Sequence, residues 1–140
     1  MKVLRVSSNR LTVIPPSIVE LSNLTLLNLS TNKICSFPKG IDRMKSLKRI
    51  YLINNELTEF PEGMCELTDL ISIELHKNKI LKIPDDIAKL VHVKNLFLNN
   101  NEIEEIPTGM SKMKSLQDLT LNRNKIKSLP SDFGFIPNLK

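Results

Sequence analysis

The chain has 140 residues, 41% of them hydrophobic, and carries 20 Lys and Arg against 15 Asp and Glu, a net charge of +5. Nowhere does an apolar run approach the ~18 residues that a membrane-spanning helix requires, so a span of that kind is excluded. Met1-Lys2-Val3-Leu4-Arg5-Val6 is too short and too charged for a signal peptide, which argues against secretion.

Taken in order, the chain enters a repeating pattern at its first residue. The pattern is clearest at Leu70-Ile71-Ser72-Ile73-Glu74-Leu75-His76-Lys77-Asn78-Lys79-Ile80, of the form L-x-x-L-x-L-x-x-N-x-L. It restarts every 23 residues, at Met1, Leu24, Leu47, Leu70, Val93 and Leu116, without insertion or deletion. Six copies result (1–23, 24–46, 47–69, 70–92, 93–115 and 116–138), and residues 139–140 open a seventh that stops. Positions 1, 4, 6, 11, 14, 18 and 21 are apolar in every copy, forty-two sites in all, while position 9 is always Asn and position 15 always Pro. A period in the twenties signifies a solenoid, and this pattern resembles the leucine-rich repeat. The expected fold is an α/β horseshoe with a parallel concave sheet, short helical turns on the convex side and no separate caps.

Each fixed column has a physical reason. Residues 4 and 6 alternate with 3, 5 and 7, so a short strand turns its leucines inward and its variable residues outward. One strand per copy, always running the same way, gives a parallel sheet. The Asn side chain, from Asn9 to Asn124, offers donors and an acceptor to backbone groups that would otherwise be stranded inside, and an internal ladder is expected. Proline has a fixed φ and no N–H, which suits the first residue of a helical turn whose residues 18 and 21 point back into the core. A solenoid exposes its end faces unless capped. Leu4, Val6, Leu11 and Ile14 should therefore be open at one end, and Leu119, Leu121, Ile126 and Leu129 at the other. A longer parent array, end-to-end self-association and frayed ends all fit that expectation.

Catalytic chemistry finds no footing in these residues. His76 and His92 fall at positions 7 and 23, on different sides of the coil, which suits neither a metal pair nor a Cys/His arrangement. Asp85 and Asp86 follow Pro84 at the start of a helical turn, where carboxylates favour the positive end of the helix. The four glycines are scattered along the convex side and form no phosphate loop. No catalytic, cofactor-binding or metal-binding residue is assigned, and the chain is not expected to be an enzyme. Cys35 and Cys65 lie on different sides of the coil, too few and too far apart for a disulfide framework, and point to a reducing, cytoplasmic setting. The sequons Asn23-Leu24-Thr25 and Asn28-Leu29-Ser30 read as by-products of a repeat rich in Asn, Leu and Ser.

Binding is placed instead on the variable face, formed by positions 2, 3, 5, 7 and 8, with position 2 at its rim. This face holds Val3, Leu26, Tyr51, Ile53, Ile71 and Phe97, and seven basic residues (Lys2, Arg5, Lys48, Arg49, Lys77, Lys94, Arg123) against Glu74 and Asp118. The basic excess suits an acidic protein surface. Tyr51 and Phe97 share position 5 two copies apart, about 10 Å at a strand spacing of ~4.8 Å, with Glu74 between them. Exposed aromatics beside a charge have the composition of an interface hot spot. The candidate contacts are Leu26, Arg49, Tyr51, Ile53, Glu74, His76, Lys77, Asn95 and Phe97. Nucleic acid is a poor fit, because Phe37, Phe60 and Phe133 belong to the core and leave no series of stacking aromatics.

The 23-residue form, with Asn at 9, Ile-Pro or Phe-Pro at 14–15 and x-x-I-x-x-L after it, resembles the intracellular repeats of Ras-suppressor-like and Scribble-like scaffold proteins. It is also similar to the plant Ras-group-related repeat proteins. The resemblance covers residues 1–140 and implies a cytosolic protein that binds other proteins through its concave sheet, often in small-GTPase signalling or polarity scaffolds. A second reading makes the chain the substrate-recognition or sensor segment of a longer enzyme such as a kinase or ubiquitin ligase.

Overall fold

A computed structural model describes residues 1–140. Its backbone is a coil whose every turn contributes one short strand: β1 Val3–Arg5, β2 Leu26–Asn28, β3 Arg49–Tyr51, β4 Ser72–Glu74, β5 Asn95–Phe97 and β6 Asp118–Thr120. They form one parallel sheet in the order β1-β2-β3-β4-β5-β6, and each residue pairs with the one in the same position of the next copy. At the strand entrance the position-2 carbonyl of each copy accepts two N–H groups of the next, as Lys48 O does from Ile71 N (2.8 Å) and Ser72 N (3.2 Å). Lys140 N donates to Gln117 O at 2.9 Å in the same manner.

Between strands the chain returns through 3₁₀ turns at Pro16–Glu20, Ile41–Arg43, Met64–Glu66, Asp85–Lys89, Thr108–Lys112 and Phe133–Phe135. The position-15 proline precedes each turn instead of starting it, which corrects the sequence expectation. Pro15, Pro84 and Pro107 are extended N-caps, with φ between −63° and −69° and ψ between 139° and 149°. An N-cap has non-helical backbone angles while its carbonyl accepts the first helical bond, and proline's fixed φ allows both. Ile18 N, Ile87 N and Met110 N accordingly donate to these proline carbonyls at 3.0–3.1 Å. In the second and third copies the N-cap is Gly40 or Gly63, at φ 90° and 81°, a left-handed conformation that suits a residue without Cβ.

The core is one continuous cluster of 33 buried residues, all but Val19 and Cys65 drawn from the seven apolar columns. Nine more residues of those columns pack against it part-buried, leaving Met1 and Leu129 outside. The end faces are less open than expected. Leu4, Val6, Leu11, Leu119, Leu121 and Ile126 are half-buried, while Leu129 is exposed. Ile14 is only 5% exposed and so does not belong to an open face, because the first convex turn, which also buries Ile18 and Val19, joins it in the core.

The asparagine column forms the expected ladder. Asn78 Nδ2 donates to Leu75 O of its own copy (2.9 Å) and Leu52 O of the preceding one (2.9 Å), and its Oδ1 accepts Leu57 N (3.0 Å). Asn32, Asn55, Asn101 and Asn124 repeat all three bonds at 2.8–3.1 Å. Just before each Asn, position 8 is left-handed in all six copies, at φ 53–58°. None of the six residues there is glycine: Ser8, Thr31, Asn54, Lys77, Asn100 and Arg123. The ladder and the inter-strand bonds on either side of this turn over-determine a conformation that L-residues otherwise avoid.

Candidate interaction surface

Because consecutive strands pair without stagger, each outward position becomes a straight row across the concave sheet. Position 5 gives Arg5, Asn28, Tyr51, Glu74, Phe97 and Thr120, and Tyr51, Glu74 and Phe97 are direct in-register neighbours. All three are half-buried, as are Ile53 and His76 two residues further along their strands. Arg49 is exposed beside Tyr51 on β3, Asn95 is half-buried on β5, and Lys77 is exposed in the left-handed turn that ends the ribbon. Eight of the nine candidate contacts therefore offer surface on one side of the sheet.

Leu26 is the exception. It retains 8% of its exposure and lies outside the core cluster, on the outward row but covered by its neighbours. Its register neighbours are Val3 and Arg49, and an aliphatic side chain on one side with an arginine's methylene stem on the other leaves little of it to water.

The aromatic centre has an unusual electrostatic setting. Burial pushes the Glu74 carboxyl above the ordinary glutamate range, and neither a hydrogen bond nor a nearby cation offsets it. His76 is turned edge-on to Phe97, with ring centroids 6.4 Å apart and planes at 69°. Its Nδ1 is buried without a hydrogen-bond partner, and burial together with the Lys77 charge holds its pKa below the usual histidine value. With its amide turned so that the nitrogen faces acceptors, Asn95 donates to Asp118 Oδ2 (3.1 Å) and Lys94 O (3.3 Å).

Two features of this surface carry no signal in a single copy of the repeat. Ser72, at position 3 of β4, is 4% exposed, so the strand that bears Glu74 has a small residue where its neighbours have Arg49 and Asn95. Only the row-by-row comparison reveals this contrast in size. At the rim, Lys48 Nζ is bound to Asp69 at 2.7 Å, which lowers the Asp69 pKa through that hydrogen bond and charge. Lys48 is thus compensated, and the basic excess of the face rests on Arg5, Arg49, Lys77, Lys94 and Arg123 together with Lys2. The i to i+23 spacing between matching columns could have found six of the other seven ion pairs but not this one, which joins position 2 to position 23.

The leucine rich repeat family matches residues 1–57, 68–126 and 91–140. No curated protein matches the sequence significantly. Among solved structures, a leucine-rich repeat protein of Leptospira interrogans is 31% identical with a TM-score of 0.75, over 100% of this chain and 42% of that one. An internalin of Listeria monocytogenes has 22% identity and a TM-score of 0.85, over 99% of this chain and 40% of that one; at that identity the likeness shows the fold alone. The plant peptide hormone receptor RGFR1, in complex with RGF2, is 26% identical with a TM-score of 0.84, over 99% of this chain and 27% of that one. The chain thus spans less than half the length of each of these neighbours. No helix in it is long and apolar enough to cross a membrane. With the family matched over most of its length and six in-register turns stacked on one asparagine ladder, the chain belongs to the leucine-rich repeat family.

Proposed function

We propose that this chain is a protein-interaction module that captures an acidic protein surface on its concave ribbon, centred on Tyr51, Glu74 and Phe97. The observation that carries the reading is the unbroken position-5 row, which sets two aromatic rings and a half-buried charge side by side where no core packing requires them. Leucine-rich repeats generally mediate protein–protein interaction, and one structural neighbour is a receptor in complex with RGF2. The resemblance to Ras-suppressor-like scaffolds adds a role in small-GTPase signalling within the cytoplasm, a setting that the two unpaired cysteines suit.

Charge distribution supports the same face. Six of the eight ion pairs join matching positions of consecutive copies away from the concave surface, for example Glu56–Lys79 and Glu102–Lys125. Of the concave residues only Lys48 is in an ion pair, so the other basic residues and Glu74 are free to meet another molecule. Affinity capture with immobilised chain tests the reading: Tyr51→Ala, Glu74→Arg and Phe97→Ala should each fold normally by circular dichroism and lose the salt-sensitive partner that the wild type retains. Retention of that partner by all three variants would remove the concave patch from the function. The second reading, a recognition segment of a longer enzyme, draws on the chain's covering only 27–42% of its structural neighbours. A catalytic domain in the full reading frame would decide for it.

A further inference from the structure

We propose that Glu74 is the seat for a single arginine of the partner, inserted between Tyr51 and Phe97 and carried on an otherwise acidic segment. This rests on the concave-face reading and specifies its chemistry. The walls of the seat are set by the sheet. At a strand spacing of ~4.8 Å the two aromatic residues flank the Glu74 strand about 10 Å apart, which leaves room for one planar side chain to enter between them. Along the same strand Glu74 lies between Ser72, small and buried, and His76, whose ring meets Phe97 edge-on.

The seat wants a cation. Of the fifteen carboxylates in the chain, eight are neutralised by a Lys or Arg within 3.6 Å. Ser111 Oγ donates to Asp132, and Asn95 to Asp118. Glu74 is drawn part-way out of water by its neighbours and receives nothing in exchange. Its neighbours in the row are aromatic, so the stacking that neutralises the flanks cannot neutralise it. A cation at the carboxylate gains in addition from a neighbouring aromatic face, and the gain is larger where water is displaced. His76 supplies no competing charge, because burial and Lys77 favour its neutral form.

Arginine fits better than lysine. Its planar guanidinium stacks on rings, binds a carboxylate through two parallel hydrogen bonds and sheds water more readily than an ammonium. The surroundings restrict what else the partner carries. Arg49 and Lys77 flank the seat and Lys94 stands at the rim, so residues beside the arginine must be acidic, and a uniformly basic segment is repelled.

Heteronuclear NMR titration of the 140-residue chain with a synthetic pentapeptide, a central arginine between two pairs of aspartates, tests this. The control peptide carries citrulline, which keeps the shape and loses the charge. Saturable shifts are expected at Tyr51, Glu74 and Phe97, with binding of the arginine peptide about tenfold tighter than citrulline, as befits a charge-assisted bidentate pair. Glu74→Gln should keep the fold and erase that difference. Equal binding of both peptides, with shifts still on this row, would overturn the arginine seat and leave the concave-face reading standing. Shifts confined to the basic rim would overturn the seat as well, and the concave-face reading would then be decided by its own capture experiment. Equal or tighter binding of a lysine peptide would overturn the choice of arginine.

Discussion

Replacing Asn78 by alanine should destabilise the chain by about 2–6 kcal/mol, and the structure shows how that figure arises. Asn78 makes three bonds of 2.9–3.0 Å to backbone groups. Two of its partners are carbonyls that share a second asparagine: Leu52 O also accepts from Asn55 (3.1 Å), and Leu75 O from Asn101 (3.0 Å). Losing one of two bonds at each carbonyl costs about 0.5–1.5 kcal/mol apiece. The third partner has no substitute. Leu57 N is left buried and unpaired, at about 1–3 kcal/mol. Asn9, at the exposed start of the ladder, makes only two longer local bonds, to Val6 O (3.3 Å) and Ser7 O (3.1 Å). Asn9→Ala should therefore cost less than about 1 kcal/mol, since those carbonyls can turn to water. Urea unfolding followed by circular dichroism measures both variants against the wild type. Equal losses at Asn9 and Asn78, or a loss at Asn78 below about 0.5 kcal/mol, would refute the ladder as the internal support of the coil.

Other outcomes follow from the packing and the charge. A Cβ on Gly109 would stand 2.9 Å from Asp85 O and 3.1 Å from Ala88 Cβ, so Gly109→Ala should cost about 1–3 kcal/mol by thermal unfolding. Gly134→Ala, with nothing within 4 Å, should not destabilise the fold. The Glu74 carboxyl is raised in the folded state by burial, so its relative contribution to stability is present below its unfolded pKa and is lost as pH rises through the folded value. Melting temperatures of Glu74→Gln and the wild type should thus diverge in favour of the variant on passing from weakly acidic to neutral pH, and a constant offset would count against the desolvated seat. Burial pushes the Cys65 thiol up to about 12, whereas Cys35 is exposed. A thiol-specific reagent at neutral pH should therefore modify Cys35 rapidly and Cys65 only at the rate of unfolding; fast loss of both thiols would contradict the packing around Cys65.

The solenoid was legible in the sequence because its determinants are periodic. Leu, Asn and Pro recur at fixed spacing, and each has a physical requirement that no other position meets, so strand, ladder and core side can be named from one copy. The position of the proline was misjudged because its fixed φ is compatible with both the first helical residue and the residue before it; only the extended ψ distinguishes them. The left-handed turn at position 8 had no signal at all. Lys77 and Arg123 do not advertise a positive φ as glycine would, because the bonds around the turn impose it. On the candidate surface, Tyr51, Glu74 and Phe97 could be aligned from spacing alone, since the in-register pairing turns a sequence offset into a distance. Leu26 could not be placed, because its exposure depends on the side chains of Val3 and Arg49 and not on its own position.

The same pairing leaves the concave face, and not the flanks, with charges that stacking does not compensate. Two charges in matching columns of consecutive copies are held one strand spacing apart, close enough to neutralise each other, and the flanks use this repeatedly at positions 10, 12, 16 and 20. Exposed pairs of this kind add little stability each. Their consequence is that the flanks present compensated charge to solvent. Position 5 alternates differently: a lone carboxylate falls between two aromatic rings, and the basic residues at positions 3 and 8 lie in rows without an acid directly opposite. A surface that cannot satisfy its own charges by stacking must satisfy them with water or with another molecule. Where rings have already displaced part of that water, as around Glu74, a partner cation has the least solvent left to remove.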